Sequence, residues 1–163
     1  MSHCIFCEIL AGRAPASFIY RDDVCAAFMD IQPVNRGHIL VVPVQHAASL
    51  AELAPATGGR MFMVGQQSAA ALRASGVRCE AVNFFLADGE AAGQEVFHVH
   101  LHVFPRFHSD GFGLRLPPLY AFKPSRKELD ETARMIRAAL SDRQPNAPGN
   151  DQAERPQDAN HQE

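Results

Sequence analysis

The most informative segment of this sequence is His98-Val99-His100-Leu101-His102-Val103-Phe104. Side chains on a β-strand alternate between two faces, so this spacing places the three imidazoles on one face and the aliphatic residues on the other. On a helix the same histidines would be scattered around the axis. The stretch therefore predicts a strand with a buried apolar face. Its histidine face predicts a metal site or an array for acid–base and nucleophilic chemistry, rather than a polar face that happens to be rich in histidine.

Other segments predict an antiparallel sheet around this strand. Four have the composition of strands, namely 18–20, 24–29, 38–43 and 81–86. The first two flank a polar turn and predict a hairpin. The last is joined to the histidine strand by a short, turn-rich loop, so these two strands should pair antiparallel.

Two helices complete the predicted fold. Apolar residues recur at helical spacing from about residue 56 to 74, and Gly76 closes this helix. Ser125 and Glu128 form a capping box for the second helix, whose apolar face is Leu129, Ala133, Ile136 and Leu140. The sequence thus predicts one α+β domain over residues 1–142, with an antiparallel sheet of about five strands and two helices.

The end of the chain has a different composition. Residues 143–163 contain three prolines, no aromatic residue and no large aliphatic residue. Such a segment cannot bury enough apolar surface to offset the entropy lost on ordering. We expect a disordered polar C-terminal tail.

Charge and hydropathy exclude two classes of partner. The formal net charge is −3 over 163 residues, and there is no basic stripe of the kind that duplex nucleic acids require. No apolar run approaches the about 20 residues of a membrane span, and the N-terminal residues lack the pattern of a secretory signal. We expect a cytoplasmic protein with reduced thiols that binds neither nucleic acid nor membrane.

Cys4 and Cys7 form a Cys-x-x-Cys pair, which alone is a weak signal shared by redox motifs, metal sites and chance. No parallel βαβ pattern follows it, which argues against the redox interpretation. Two thiolates and two imidazoles would complete a closed tetrahedral zinc site. His46 and His98 are candidates for the imidazoles, but composition does not choose among the eight histidines of the chain.

His100, His102 and the loop Gly93-Gln94-Glu95-Val96 suggest a second kind of chemistry. A neutral imidazole is a competent nucleophile near neutral pH, and attack on phosphorus would give a phosphohistidine intermediate. A second imidazole two residues on can stabilise charge that develops on the phosphoryl oxygens. Gly93 allows close approach of the main chain, and Gln94 offers an amide to the same oxygens.

These residues resemble the histidine triad (HIT) family, and in particular its bacterial zinc-containing members. The resemblance covers about residues 4 to 106 and rests on the His-x-His-x-His strand and on further segments in the family's order. They are Ile5-Phe6, 27–31, 37–43, Ala92-Gly93-Gln94 and Pro105-Arg106. The histidine strand is similar to the phosphoramidate-cleaving Hint branch, whereas Pro105-Arg106 is similar to the diadenosine-polyphosphate-cleaving Fhit branch.

The resemblance implies an α+β fold that forms a homodimer through a shared sheet, and a nucleotidyl hydrolase or transferase that acts on an α-phosphate. It implies that His100 is the nucleophile and that His102 contacts the α-phosphate. The main-chain carbonyl of His98 would orient the His100 ring, and His38 would be the supporting fourth histidine.

The resemblance also implies a nucleotide site and a metal site. Asp30 matches the position that holds the ribose hydroxyls, and the predicted neighbours of the base are Phe6, Phe28 and Ile31. The loop Gly93, Gln94, Glu95 and Val96 matches the phosphate-side loop. Many bacterial members hold a structural zinc with the residues that correspond to Cys4, Cys7, His46 and His98.

Two departures from the family pattern bear on activity. Glu95 stands where well-studied branches have a small hydroxyl residue that assists the leaving group, and a carboxylate there is unfavourable near phosphate unless it turns away or is protonated. Ala87 stands where relatives often have Asn or Gln, so one polar substrate contact is absent.

The sequence therefore predicts a zinc-containing hydrolase that cleaves a substituent from a purine nucleoside 5′-phosphate through a nucleotidyl-His100 intermediate. Three alternatives stay open. One is a diadenosine polyphosphate hydrolase with the same nucleophile, and another is a nucleotide-binding regulatory module with vestigial catalysis. The third is a metal-storage or sensor protein, which would need all three strand histidines to bind metal.

Overall fold

The computed structural model describes residues 4–113 and 116–143. The chain divides into two compact units, and the boundary between them follows Gly113. Within the described ranges, no helix is both long enough and apolar enough to cross a membrane.

The first unit is built on one five-stranded sheet. Its elements are α1 (Ile5–Leu10), β1 (Phe18–Arg21), β2 (Cys25–Met29), β3 (Ile39–Pro43), α2 (Pro55–Ala74), β4 (Ala81–Phe85), a 3₁₀ turn (Glu90–Ala92) and β5 (Leu101–Arg106). The strand order is β1-β2-β3-β5-β4, and every neighbouring pair is antiparallel. The α+β fold, the five strands and the antiparallel pairing of the last two are thus confirmed.

Asp22 explains why the chain reverses between β1 and β2. One of its carboxylate oxygens accepts the main-chain N–H groups of Val24 (2.8 Å) and Cys25 (2.6 Å). Its other oxygen accepts the Tyr20 hydroxyl and the guanidinium of Arg60 in α2. These hydrogen bonds lower the pKa of the Asp22 carboxyl, that from Tyr20 most strongly. The turn residue therefore also ties the hairpin to α2.

Each face of the sheet is covered by its own set of apolar residues. One face packs against α2 in a core that includes Val64, Leu72, Val99, Leu101 and Val103. The opposite face packs against α1 in a smaller core that includes Phe6, Ile9, Leu10, Phe28 and Leu40. The aliphatic residues of the histidine strand thus face α2, as the alternation in sequence predicts.

The regular part of the histidine strand is shorter than predicted, because pairing begins only at Leu101. Before that point the main chain is held by other groups, and the N–H of Val99 donates to the carbonyl of Ala47 over 2.8 Å. Val99 is still fully buried on the α2 side. The alternation of faces therefore continues through His98 and His100, although these two residues precede β5.

The two predicted helices are present, together with a short one that the sequence did not indicate. This helix, α1, has six residues, and its N-cap residue Cys4 forms no side-chain capping bond. The second unit contains a 3₁₀ turn (Pro118–Ala121) and α3 (Arg126–Arg143). The predicted capping box is present, since Glu128 accepts the N–H of Ser125 over 2.8 Å. Three residues of the predicted apolar face of α3 are exposed, namely Leu129, Ile136 and Leu140.

The tail predicted for residues 143–163 lies outside the described residues, apart from the main chain of Arg143.

Candidate active site and metal centre

Four side chains from three parts of the chain meet beside α1. Cys4 and Cys7 come from α1 and its N-cap, His46 follows β3, and His98 precedes β5. The Nδ1 atom of His98 lies 3.4 Å from Cys4 Sγ, 3.7 Å from Cys7 Sγ and 3.3 Å from His46 Nδ1. All four ligand atoms lie within 4.8 Å of one another, so this cluster could hold a metal ion.

The donor set and its spacing fit tetrahedral zinc. With bonds of about 2.3 Å to sulfur and about 2.0 Å to nitrogen, the ligand atoms of such a site lie about 3.3 to 3.7 Å apart. Nε2–H of buried His98 donates to the carbonyl of Pro43 over 2.9 Å, which leaves the Nδ1 lone pair directed at the cluster. Burial lowers the pKa of His98, so this ring is neutral, as a ligand must be. Burial and the neighbouring Cys4 raise the pKa of the Cys7 thiol, so ion binding would have to displace its proton.

His100 lies next to this cluster and is held in one tautomer. Its Nδ1 lies 2.7 Å from the main-chain carbonyl of His98. Because a carbonyl can only accept, Nδ1 carries the hydrogen and Nε2 keeps a free lone pair. The ring is buried, and it packs edge-on against Phe6 with 5.3 Å between ring centroids. This is the geometry of a nucleophile with its reactive nitrogen fixed.

A chain of hydrogen bonds sets the tautomer of His102. The N–H of Val34 donates to Nδ1 of His38 over 3.1 Å, so the neutral His38 ring carries its hydrogen on Nε2. That nitrogen lies 2.9 Å from Nδ1 of His102 and donates to it. The hydrogen of neutral His102 is therefore on Nε2, which makes this nitrogen a hydrogen-bond donor.

Burial keeps His38 and His102 neutral near pH 7. It lowers the pKa of His38, against the opposing effect of the Asp30 carboxylate. For His102, burial and the nearby rings of His100 and His38 lower the pKa to about 4. The hydrogen-bond chain is thus an arrangement of neutral rings.

Asp30 borders the same group of polar side chains. Its Oδ2 lies 3.5 Å from His38 Nδ1 and 3.9 Å from His102 Nδ1, and its Oδ1 accepts the N–H of Gln32. The three ligand atoms are close enough to hold a metal ion. However, the hydrogen bonds to His38 already account for both of its nitrogens. We therefore interpret this group as a hydrogen-bonding arrangement.

The loop before the histidines differs from expectation at Gln94. Its side chain is buried, and its amide donates to the carbonyls of Ala48 (2.8 Å) and Val96 (3.1 Å) and accepts the N–H of Gly89 (2.7 Å). Both amide hydrogens are thus used within the protein, so in this conformation the side chain has none to offer to a phosphoryl oxygen. The side chain of Gln94 stabilises the loop through these three hydrogen bonds.

The other predicted residues of this loop, and Ala87 before it, differ in how far they are buried. Gly93 has φ +87°, which favours glycine. Glu95 is exposed, so its carboxylate is solvated, and Val96 is half-buried. Ala87 is buried and has no polar side chain to present.

The residues predicted around the base are only partly brought together. Phe6 and Phe28 are buried and in edge-on contact, with 5.7 Å between ring centroids. Ile31 is 94% exposed and belongs to neither apolar core of the sheet. Contact between Ile31 and a nucleotide stays a prediction.

Sequence reasoning missed several groups that shape the site. The carbonyl of Pro43 and the N–H of Val34 fix two tautomers, and main-chain groups leave no sequence signature. Phe85, at the end of β4, also lies beside His102, with 5.8 Å between ring centroids. The register of β4 against β5 would have revealed Phe85, but sequence predicts pairing more readily than register.

Comparison with known proteins places this arrangement in a family. The family model described as HIT domain matches residues 11–109, which is more than half of the chain. The chain belongs to the HIT domain family. The resemblance stated from its motifs is confirmed.

Three relatives are informative. An uncharacterized HIT-like protein of Mycobacterium tuberculosis is 40% identical over 138 residues, or 85% of this chain and 93% of the relative. The adenylylsulfatase HINT3 of Arabidopsis thaliana is 36% identical over 108 residues, or 66% of this chain and 54% of that protein. The crystal structure of a Zn-bound histidine triad family protein from Mycobacterium smegmatis superposes with a TM-score of 0.66 at 41% identity. That similarity covers 87% of this chain and 96% of the other.

Proposed function

We propose that this HIT-family protein is a nucleotide hydrolase or transferase that cleaves a substituent from the α-phosphate of a purine nucleoside 5′-phosphate. The reaction passes through a nucleotidyl-His100 intermediate. The observation that carries the proposal is the His100 ring, whose Nδ1–H is held by the carbonyl of His98 so that Nε2 is free to attack.

The chemistry divides into two displacements at phosphorus. In the first, Nε2 of His100 forms a bond to the α-phosphorus while the bond to the leaving group breaks, and the leaving group takes up a proton from solvent. In the second, a water oxygen or another acceptor forms a bond to phosphorus and releases its proton to solvent, while the bond to Nε2 breaks and His100 returns as a neutral imidazole. Nε2–H of His102 stabilises the phosphoryl oxygens in both steps, and His38 holds that tautomer in place.

The nucleoside would bind over β2 and β3, with Asp30 at the ribose hydroxyls. Phe6 and Phe28 would border the base, since Phe6 packs against His100 and Phe28 packs against Phe6. The name of the Arabidopsis relative, an adenylylsulfatase, supports an adenylyl compound as substrate class. An exposed Glu95 is compatible with this assignment, because a solvated carboxylate need not face the phosphate.

Zinc would be structural in this protein, held by Cys4, Cys7, His46 and His98. Four protein ligands close the tetrahedron and leave no position for substrate or water. The Zn-bound Mycobacterium smegmatis relative supports the choice of metal. When bound, the ion would fix the ring of His98, whose carbonyl in turn orients His100.

A homodimer is part of the same proposal. β4 is an edge strand of the sheet, and none of the described strands pairs with its outer edge. Unpaired strand edges are natural sites for pairing with another chain. A second copy could extend the sheet there.

A turnover panel tests the proposed function. Purified protein is offered adenosine and guanosine phosphoramidates, adenylyl sulfate and diadenosine polyphosphates, and release of the nucleoside monophosphate is followed. We expect turnover of at least one adenylyl compound and its loss in His100→Asn. Preference for diadenosine polyphosphates would assign the alternative hydrolase activity, and nucleotide binding without turnover would assign a regulatory module.

A further inference from the structure

The turn between β2 and β3 fixes the tautomer of His38, and Asn35 ties this turn to the end of β5. The N–H of Val34 donates to Nδ1 of His38, and the N–H of His38 donates to the main-chain carbonyl of Asn35 over 3.1 Å. The side-chain nitrogen of Asn35 donates to the carbonyl of Pro105 and to Oδ2 of Asp110, both over 2.9 Å. Both hydrogens of this amide are therefore used to hold the turn in place.

Asp110, the acidic partner of Asn35, is itself held by several groups. Its side chain is only 3% exposed, and Arg106 binds both of its oxygens, over 2.6 Å and 2.9 Å. The N–H groups of Phe107 and Phe112 also donate to this carboxylate. These hydrogen bonds, that from Arg106 most strongly, lower the pKa of Asp110, so it is ionised at neutral pH. Asn35 thus donates to a fixed and charged acceptor.

The segment that Asp110 organises also reaches the ring of His38 through two aromatic contacts. Phe112 donates its N–H to Asp110, and its carbonyl accepts Arg106 over 2.7 Å. Its ring packs edge-on against Phe104, with 5.2 Å between centroids, and Phe104 lies 4.9 Å from His38 in the same measure. Since Phe104 is buried, the His38 ring has a defined place, and its partner at Nδ1 depends on the position of the turn.

His38 has a second group near Nδ1, and that group favours the opposite tautomer. Oδ2 of Asp30 lies 3.5 Å from this nitrogen. A carboxylate can only accept, so a hydrogen bond to it would place the hydrogen on Nδ1 and leave Nε2 of His38 as an acceptor. Nδ1 of His102, 2.9 Å away, would then have to donate, and Nε2 of His102 would lose its hydrogen. The tautomers of both rings therefore depend on whether Nδ1 of His38 meets the N–H of Val34 or the carboxylate of Asp30.

We propose that Asn35, held by Asp110, is a positioning residue that keeps the N–H of Val34 on His38 and so maintains His102 as a donor at Nε2. The effect on the tautomers does not depend on the identity of the substrate. The effect on catalysis rests on the proposed function, in which Nε2–H of His102 stabilises charge that develops on the phosphoryl oxygens. Asn35 would then act through His38 and His102 rather than on the substrate itself.

Nuclear magnetic resonance of the full chain labelled with ¹⁵N-histidine tests the proposal, because protonated and unprotonated ring nitrogens differ in chemical shift. His38→Asn and His102→Asn assign the signals. Near neutral pH we expect both rings of the wild type to carry their hydrogen on Nε2. Asn35→Ala should lower the ratio of the Nε2–H to the Nδ1–H tautomer at both rings by about fivefold, the effect of losing one hydrogen bond. Asn35→Asp, which keeps the shape of the side chain but has no amide hydrogens, should lower it as well.

Glu80→Ala is the matched control, because Glu80 holds the same segment at a different point. Its Oε2 accepts the N–H of His108 over 3.0 Å and lies 2.6 Å from Nδ1 of that ring. We expect the tautomers of His38 and His102 in Glu80→Ala to equal those of the wild type. An equal shift in Glu80→Ala and Asn35→Ala would overturn the proposal, since it would report a general loosening of the segment. Unchanged tautomers in both Asn35 variants would overturn it too.

Turnover of an adenosine 5′-phosphoramidate separates this proposal from the proposed function. We expect Asn35→Ala to lower kcat and to change KM little, because the hydrogen of His102 acts on charge that develops in the transition state. A tautomer shift in a protein that turns over no nucleotide compound would support the positioning role and overturn only the hydrolase assignment. Turnover by the wild type together with unchanged tautomers in the Asn35 variants would overturn the positioning role and leave the proposed function in place.

Discussion

The three imidazoles of the histidine face carry their protons on different nitrogens, although the sequence presents them as equivalents. His98 carries its hydrogen on Nε2, bonded to Pro43, and keeps Nδ1 for the metal cluster. His100 carries its hydrogen on Nδ1, and His102, next to His38, carries it on Nε2. Main-chain carbonyls and one neighbouring ring thus prepare one residue type for the three proposed roles of ligand, nucleophile and donor.

The neutrality of His102 should be measurable as a pH dependence of stability. Its pKa is lowered from 6.5 to about 4 in the folded chain, so only the unfolded chain takes up this proton between those values. The free energy of unfolding therefore falls as pH is lowered through this window, by no more than about 3 kcal/mol from this group at about 1.4 kcal/mol per pKa unit.

Denaturant unfolding of wild type and His102→Asn between about pH 7 and about pH 4 checks this. Any loss of zinc in acid affects both proteins, so the informative quantity is the difference between their free energies of unfolding. We expect the advantage of the wild type to shrink as pH falls. A difference that stays constant across the window would contradict a lowered pKa for His102.

Some properties of individual residues could be predicted from the sequence, and others could not. The shared face of His98, His100 and His102 could be predicted because a period of two is a local property of the chain. The exposure of Ile31 and the internal hydrogen bonds of Gln94 could not, since both depend on segments distant in sequence. The sequence shows only that one residue is apolar and the other is an amide. It does not show whether such a side chain contacts a ligand or the rest of the protein.

At the scale of elements, Gly65 is the glycine of α2 that lies closest against the side chains of the sheet. A Cβ atom at this position would lie 2.7 Å from Phe84 Cε1 and 3.1 Å from Leu101 Cδ2. Gly59, on the same helix, has no heavy atom within 4 Å of its Cβ position. Substitution of the two glycines can therefore distinguish the effect of helix propensity on stability from the effect of packing.

Gly65→Ala should lower the free energy of unfolding by about 1 to 3 kcal/mol, because overpacking outweighs the gain in propensity. Gly59→Ala should raise it by about 0.5 to 1 kcal/mol, because only the propensity changes. Urea or thermal unfolding of both variants measures these changes in the free energy of unfolding. Equal stabilisation by the two substitutions would show that α2 does not lie against Phe84 and Leu101 as described.

Elements long enough to show periodicity could be predicted from the sequence, and short ones could not. The twenty residues of α2 and the capping box of α3 leave clear local signals. Helix α1 has only six residues, which is too short to show a helical period. Its N-cap residue, Cys4, makes no side-chain capping bond, so the sequence contains no capping signal either. Its position depends on the packing of Phe6, Ile9 and Leu10 against the sheet.

At the scale of the whole molecule, the metal cluster joins three regions that are distant in sequence. An ion bound there would hold the N-terminus and the exit of β3 to the segment that carries His100. Because metal binding contributes to folding free energy, Cys7→Ser should lower zinc content and thermal stability together. Metal analysis and thermal unfolding of protein purified without chelators measure both quantities.

Cys79→Ser is the control for the loss of a thiol, since Cys79 is half-buried and lies outside the cluster. It should retain the zinc content of the wild type, with one ion per chain. A wild type that holds no zinc and has the stability of Cys7→Ser would show that the four side chains meet without serving a metal.

The proposed function depends on the covalent attachment of the nucleotide to His100. The most direct measurement is the intact mass of the protein after acid-free quenching of a reaction with an adenosine 5′-phosphoramidate, followed by peptide mapping. We predict an added mass of one adenylate per chain, located on His100 and absent from His100→Asn. Turnover without such an adduct, or an adduct on another residue, would contradict a nucleotidyl-His100 intermediate.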